Sequence, residues 1–426
     1  MRIIAVGDEL LEGRTSDTNS GRIQRALGRH AVQTAGIQVV PDNGAAIGLA
    51  LDRTDPGDLV FLTGGLGSTP DDLTRDVLAE WAGVPLDDDA ELQKKLEERW
   101  LKRGIKARPG VNRQSQVPRG LTPLENPVGS APGLVGTLRD RVLVLLPGVP
   151  QELTGLLPLA VDWLEGQGIL PTARPVLVWR TAQIAELTLV KLMQPIREVF
   201  PHLTWSWWLT DWGVDVRVAG AAGQGMTDGD LPEVGRQVDE LLGHLVYTRG
   251  SETLPEVVQS LMLDRGLTLG VAESCTAGML GARFTDAAGS SGFFRGGFLV
   301  YADEVKHQLL DVSRQDLETH GAVSEQVVRA MATGCRDRLG TDYALAVSGI
   351  SGPGGGSEGK PVGTTWVAVA GPGRVYAGRY RFPADRARNR LLTVSAATDT
   401  LRRVLQFGLG QIPWHSTDTW GRPGDS

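Results

Sequence analysis

Cysteine is almost missing from this chain. Only Cys275 and Cys335 occur among 426 residues, too few for a disulfide framework or a cysteine-rich metal site. No apolar run approaches the roughly 20 residues that a membrane-spanning helix needs, so no membrane partner is expected. Positive charge is not in excess either: 43 Lys and Arg stand against 50 Asp and Glu, a formal net charge of −7. Sequence-blind nucleic-acid binding relies on basic surface, so no nucleic-acid partner is expected. The opening Met1-Arg2-Ile3-Ile4-Ala5-Val6-Gly7 is interrupted too soon to read as a signal peptide, and the expectation is a cytoplasmic protein. What remains is ordinary globular composition, 41% hydrophobic and 22% charged, at a length that calls for two or three cores.

The chain is organised in blocks. Up to about residue 170, strand-like and helix-like patterns alternate: Arg2–Val6 strand, Thr18–Leu27 helix, Val32–Val40 strand, a helix to about Leu51, Leu59–Thr63 strand, Asp71–Trp81 helix and Arg141–Leu146 strand. This βαβα rhythm predicts a parallel sheet with helices on both faces. A Pro/Gly-flanked junction near Gly166–Pro175 marks a boundary. Residues 171–250 differ in character. Four of the eleven tryptophans lie within Trp205–Trp212, Val214–Val218 alternates like a half-buried strand, and Glu233–Leu242 reads as a helix. This predicts a small α+β unit. From Ser251 to about 410 the βαβ pattern returns, and 411–426 is a polar tail expected to be disordered. The fold class is therefore α/β: two α/β domains with largely parallel sheets, joined by a small α+β domain.

The stretch Val271-Ala272-Glu273-Ser274-Cys275-Thr276-Ala277-Gly278 carries the most chemistry. An apolar run, Leu267 to Ala272, breaks at Glu273-Ser274, and an Ala/Gly/Leu-rich helix follows. The serine hydroxyl thus sits at a strand-to-helix turn, where free N–H groups can hold an oxyanion or a phosphate. A nucleophilic serine needs a base, and Lys306 lies just past a second strand-like run, Gly296 to Tyr301. A lysine serves as base where desolvation or nearby cations favour its neutral form. It reads equally well as a solvated helix lysine. Cys275 is intrinsically the stronger nucleophile, yet it also reads as a small buried hydrophobe. The third piece is Ser348-Gly349-Ile350-Ser351-Gly352-Pro353-Gly354-Gly355-Gly356, again after a strand-like run. Three such elements predict one active site at one edge of a sheet.

In the first block, Thr63-Gly64-Gly65-Leu66-Gly67-Ser68-Thr69-Pro70-Asp71-Asp72-Leu73-Thr74 follows a strand and opens a helix. Small residues allow close approach to a ligand, and a helix start favours anions. Asp71 and Asp72 would repel a bare phosphate, so a bridging divalent cation is the natural reconciliation. One of them could instead simply cap the helix. Asp42, at the end of another strand, can face the same crevice. The tryptophans at 205, 207, 208 and 212 could stack on bases, but Asp211 and Asp215 lie nearby and cations are few, so packing is the expectation.

Taken together, these motifs resemble the CinA (competence/damage-inducible) family in its full-length form. The resemblance rests on Gly7-Asp8-Glu9-Leu10-Leu11-Glu12-Gly13 with Asn19 following, the GGLG–DDLT loop, Asn126-Pro127-Val128-Gly129-Ser130-Ala131-Pro132-Gly133, and Leu146-Pro147-Gly148-Val149-Pro150. In the last third it rests on Glu273–Thr276, Tyr301–Lys306, Gly289-Ser290-Ser291, Gly321-Ala322-Val323-Ser324, the Gly-rich loop and Lys360-Pro361-Val362-Gly363. It implies a molybdopterin-binding-like domain over 1–170, a small KH-like domain over 171–250 and a nicotinamide-nucleotide amidase domain over 251–410. The amidase reaction converts nicotinamide mononucleotide (NMN) to nicotinate mononucleotide and ammonia, with no cofactor. Its catalytic positions fall on Ser274, Tyr301 and Lys306. Its substrate-binding positions fall on Thr276, Ser348, Gly349, Gly352, Gly354, Gly355, Arg386 and Arg390.

For the first domain the resemblance implies a metal-dependent ADP-ribose pyrophosphatase or a pterin binder. Its nucleotide-binding positions are Glu9, Asn19, Asp42, Thr63, Gly64, Gly65, Gly67, Asn126 and Gly129, with Asp71 and Asp72 toward the metal. Four sites depart from the family pattern: Ser68 replaces proline, Ala277 glycine, Ser348 threonine and Ser351 alanine. The expectation is a homodimeric, bifunctional hydrolase of pyridine-nucleotide salvage acting on NMN and ADP-ribose. Two alternatives stand beside it: an amidase whose first domain only binds a nucleotide or pterin, and a non-enzymatic adaptor in DNA uptake or recombination.

Overall fold

The computed structural model describes residues 1–30, 32–102, 112–171, 175–220, 230–412 and 421–423. The chain forms two compact units, Met1–Arg174 and Pro175–Ser426.

In the first unit, alternation along each strand divides apolar side chains between two faces of one sheet. Ile4, Val60, Leu62, Leu143 and Leu145 enter one core, while Ile3, Leu59, Phe61, Val144 and Leu146 enter the other. The sheet runs Gly36–Val40, Arg2–Val6, Leu59–Thr63, Arg141–Leu146, Gly133–Leu138, Leu121–Leu124. The first four strands are parallel and the last two antiparallel. The helix expected over Asp71–Trp81 begins later, at Thr74–Ala82. Asp72 holds the preceding turn open by accepting from the Gly67 and Thr69 N–H groups, each at 2.8 Å.

The second unit holds two sheets. The smaller, built by residues of the middle segment, runs Leu203–Leu209, Val214–Gly220, Val176–Thr181, Val246–Thr248, with all neighbours antiparallel. Helices Glu186–Val199 and Asp230–Leu242 complete a β-α-β-β-α-β order. This is the arrangement of a split β-α-β unit, and it makes the middle segment the small α+β domain expected. Strand order is set by long-range pairing, which local patterns do not carry. Trp205 and Trp207 pack on this unit's own core, while Trp212 packs against the core of the last domain.

The larger sheet runs Phe294–Leu299, Leu269–Glu273, Tyr343–Gly349, Thr364–Gly371, Arg374–Arg381, Gly421–Pro423. Its first three strands are parallel and its last three antiparallel, so it is less parallel than expected. Strand Gly421–Pro423 falls within the tail expected to be disordered. An edge strand's free N–H and C=O groups readily take up such a segment. Residues 413–420 and 424–426 of that tail lie outside the described residues. A long helix, Arg386–Phe407, packs on one face of this sheet. Among the described residues, no helix is long and apolar enough to cross a membrane.

Candidate active sites

The strand register brings the three motifs of the last domain together. Glu273, at the end of the central strand, pairs with Leu299 on one side and Val347 on the other. Ser274, Val300-Tyr301 and Ser348-Gly349 therefore emerge side by side from the carboxyl ends of three adjacent parallel strands, the place where open α/β sheets bind ligands. The expected site at one edge of a sheet is thus an end of its strands. The Ser274 N–H donates to the Val347 carbonyl at 3.1 Å, and the Val300 N–H to the Glu273 carbonyl at 2.8 Å.

Lys306 lies on helix Asp303–Leu310 and is 1% exposed, so it is not a solvated helix lysine. Its Nζ donates to the Tyr301 carbonyl at 2.9 Å and to Asp303 Oδ1 at 3.1 Å. Asp303, on the same turn, is not singled out by the sequence motifs; its spacing of three residues from Lys306 is the available signal. The Tyr301 ring is exposed at this end of the sheet.

The turn around Ser274 is organised by Glu273, whose role the sequence motif does not reveal. Its buried carboxylate accepts from Thr276 Oγ (2.6 Å) and from the N–H groups of Gly278 (2.9 Å), Leu280 (3.0 Å) and Gly281 (2.8 Å). These are the orphan donors of the helix start. Three of the N–H groups at this helix start are thus already satisfied. Ala277, where the family has glycine, has φ 49°, in the left-handed region that glycine enters at no cost.

Several expected substrate contacts face protein instead. Thr276 Oγ is turned to Glu273, and the buried Ser348 hydroxyl donates to the Ala322 carbonyl at 2.7 Å. Arg390 holds the carbonyls of Cys275 (3.1 Å) and Thr276 (2.8 Å), and Arg386 the carbonyl of Gly352 (2.9 Å). Asn389 between them, which no sequence motif marks, holds the Ser351 carbonyl at 3.1 Å. Gly354 and Gly355 are exposed on the loop itself. Cys275 is buried, with its Sγ against Gly349, and burial pushes its thiol up to about 12. At neutral pH that leaves a thiolate fraction on the order of 1 in 100,000. Ser274 sits at the turn between them, 8% exposed.

In the first unit, the loop after Leu59–Thr63 is held from within. Thr63 is buried; Gly64 (φ 98°) and Gly65 (φ 65°) are left-handed, and a Cβ on them would strike the Val6 carbonyl and Thr74 Oγ. These glycines serve the fold of the loop before any ligand. Arg75 lies buried beneath, donating to the carbonyls of Leu66 and Gly67. Asn126 is fully engaged in its own loop: it accepts from the Val128 and Gly129 N–H groups and donates to the Ala131 carbonyl and Glu152. Asn19 Nδ2 donates to the Gly148 carbonyl at 2.8 Å, while its Oδ1 is buried without a partner.

Asp42 accepts from the Asp8 N–H at 3.0 Å. Partial burial, with the charges of Asp8, Glu9 and Asp71, pushes its carboxyl up. Asp8, Glu9, Asp42 and Asp71 thus form an acidic cluster whose charges act on one another, while the Thr69 hydroxyl holds the Asp71 carboxyl down. Asp72 does not fit as a ligand in this state, since both its oxygens already accept from the loop. Among the described residues, no group of three or more His, Cys, Asp or Glu is preformed around a metal position.

Similarity to known proteins agrees with this geometry. Residues 251–405 match the CinA C-terminal domain, and residues 2–165 a probable molybdopterin binding domain. A CinA-like protein of Gemmatimonas aurantiaca is 39% identical over 98% of this chain and 99% of its own length. The chain belongs to the CinA family. A putative competence-damage inducible protein of Symbiobacterium thermophilum is also 39% identical, over 87% of this chain and 88% of its own. Among solved structures, the competence/damage inducible protein CihA from Agrobacterium tumefaciens is 38% identical, covering 35% of this chain and 91% of that one at a TM-score of 0.34. The CinA C-terminal domain thus contains all three strand-end motifs, and the probable molybdopterin binding domain contains the acidic crevice.

Proposed function

We propose that this CinA-family chain is a nicotinamide-nucleotide amidase whose first domain hydrolyses ADP-ribose. One observation carries the amidase reading: a serine at a strand-to-helix turn and a buried lysine amine share one end of three parallel strands with a glycine-rich loop. Ser274 Oγ attacks the carboxamide carbon of NMN while Lys306 Nζ takes its proton. The tetrahedral intermediate collapses, Lys306 returns the proton to the departing nitrogen, and ammonia leaves. Water then attacks the acyl-serine ester, passing a proton through the same amine and freeing nicotinate mononucleotide and Ser274. The exposed backbone of Gly354 and Gly355 is placed to receive the 5′-phosphate. Arg386, Asn389 and Arg390 position the two loops.

In the first domain, Asp42, Asp71 and Glu9 would hold a divalent cation, and that ion would neutralise and polarise a bound pyrophosphate. Arg75 and Asp72 keep the glycine loop in shape. A second reading, that this domain binds a nucleotide or pterin without catalysis, is favoured by the engagement of both Asp72 oxygens within the loop.

The test is incubation of the purified full chain with NMN and with ADP-ribose, with and without chelator. Ammonia release should survive chelation, and AMP formation should stop. Absence of AMP with metal present leaves the second reading. Lys306→Arg keeps the charge but cannot accept a proton, so ammonia release should collapse; near-normal release would reduce Lys306 to a binding cation.

A further inference from the structure

The turn 210–213 joins strands Leu203–Leu209 and Val214–Gly220 of the middle segment, and its own hydrogen bonds make it rigid. The Thr210 hydroxyl accepts from the Trp212 and Gly213 N–H groups, at 3.3 and 3.2 Å, and donates to the Gly213 carbonyl at 3.1 Å. The Thr210 N–H donates to the same carbonyl at 2.8 Å. A Cβ on Gly213 would strike the Thr181 carbonyl, so the turn also sits tight against its own sheet.

This turn touches two helices of the last domain, within the second unit. Half-buried Trp212 packs on that domain's core, and its carbonyl accepts from the buried Ser395 hydroxyl at 2.8 Å. Ser395 belongs to helix Arg386–Phe407, whose start carries Arg386, Asn389 and Arg390. Arg283, on helix Met279–Thr285, places its guanidinium 5.8 Å from the Trp212 ring centre and reaches Asp211 at 3.6 Å. Glu273, beside Ser274, holds the Leu280 and Gly281 N–H groups of that same helix. An exposed ion pair such as the one with Asp211 is worth little, so the ring carries the larger share of the tie. The long helix is held again two turns on, where Arg402 Nη2 donates to the His244 carbonyl at 2.7 Å. Ser395 and Arg402, seven residues apart, therefore present one face of their helix to the middle segment.

We infer, on the reading of Ser274 proposed above, that this turn is a positioning element of the amidase centre and that Trp212 is its positioning residue. One of the two helices opens beside the serine turn, and the other holds the carbonyls of residues 275, 276, 351 and 352. Fixing both helices against one rigid turn fixes the serine and the glycine-rich loop relative to each other. A misplacement of about 1 Å at a reacting group costs on the order of 100-fold in rate. The middle segment thus belongs to the frame of the active site and does more than connect two domains.

The test is hydrogen exchange of the full chain, followed by NMN turnover. Trp212→Ala should speed exchange across residues 274–285 about tenfold and leave strand Tyr343–Gly349 within about twofold of the parent. Arg283→Gln removes the cation facing the ring and should speed the same segment about threefold; Arg283 is half-buried, so this variant keeps the test open where Trp212→Ala misfolds. Trp212→Phe keeps a ring against the core and the guanidinium, and should return exchange to within about twofold of the parent. Trp208→Ala, at an exposed tryptophan on the adjoining strand, should change nothing at 274–285. In turnover, Trp212→Ala should lower kcat about tenfold with KM within about twofold, and Trp212→Phe should recover most of the loss. Unchanged exchange at 274–285 in both Trp212→Ala and Arg283→Gln, an equal rise across Tyr343–Gly349, or a loss confined to KM would overturn the inference. Exchange needs no turnover: a chain that never deamidates NMN but shows this exchange pattern would retire the amidase reading and leave the tie between Trp212 and the Ser274 turn standing.

Discussion

Glu273 offers the sharpest test of how the Ser274 turn is built. Its Oε2 accepts three donors, from Thr276, Gly278 and Leu280, and its Oε1 accepts the Gly281 N–H. Glu273→Gln preserves shape and volume. In its better orientation the new amide oxygen takes the three donors, and the amide nitrogen then faces the Gly281 N–H, donor against donor. One buried N–H is left unpaired, at about 1–3 kcal/mol, and the charge facing the helix start is lost, at about 0.3–1 kcal/mol. The turn should therefore lose about 1–4 kcal/mol. Hydrogen exchange across residues 274–285 of the full chain reads this directly. At 1.4 kcal/mol per tenfold, protection should fall by between one and three orders of magnitude. Thr276→Val removes one donor only and should cost about 1 kcal/mol. Ammonia release from NMN should drop in Glu273→Gln mainly through kcat, since the displaced group is the nucleophile. Exchange within threefold of the parent protein would refute the account, because the lost Gly281 bond and the lost charge would then be carrying almost no energy.

Three further outcomes follow from the same region. Ser274→Ala should abolish ammonia release while Cys275→Ala keeps most of it; the reverse pattern would transfer the nucleophile to the cysteine. Ala277→Gly relieves the left-handed alanine and should raise local stability by about 1 kcal/mol, read by hydrogen exchange over the same segment; no gain would mean that the turn imposes no strain there. Burial raises the Cys275 and Cys335 thiols from 9.0 to about 12. The folded state then holds these protons more tightly than the unfolded one, so the stability tied to them is complete below pH 9 and is lost as pH climbs toward 12. A thiol reagent at pH 8 should label neither cysteine in the folded chain and both after unfolding; prompt labelling of Cys275 would contradict its burial.

The sequence shows best what is local. Continuous apolar runs at Leu59–Thr63 and Arg141–Leu146 form strands with the expected bounds, because a short run apolar at every position suits a strand buried on both faces. The neighbourhood of Ser274, Tyr301 and Ser348 is legible for a related reason: each follows an apolar run, and parallel strands in one sheet bring their carboxyl ends together. The strand order of the middle segment is not legible, nor is the antiparallel half of each larger sheet, since pairing partners lie far apart in sequence.

Side-chain-to-backbone hydrogen bonds are the least visible layer, and the basic pair on the last helix shows why. Arg386 and Arg390 stand four residues apart, a spacing that puts two side chains on one face and marks them as acting together. It does not say toward what. A guanidinium suits a ligand phosphate and a backbone carbonyl equally, and both choices leave the same sequence. The Cys275 carbonyl that Arg390 Nε reaches lies 115 residues earlier in the chain. Once the sheet has brought residues 275–276 and 351–352 up to the helix start, Arg386, Asn389 and Arg390 meet four adjacent carbonyls from two loops. A half-buried Arg390 that turned instead to a ligand would leave the Cys275 and Thr276 carbonyls without these donors, and that loss is comparable to the stabilisation a ligand oxygen would supply. The pair therefore holds the two loops together, and that role becomes readable only after the fold has chosen the neighbours.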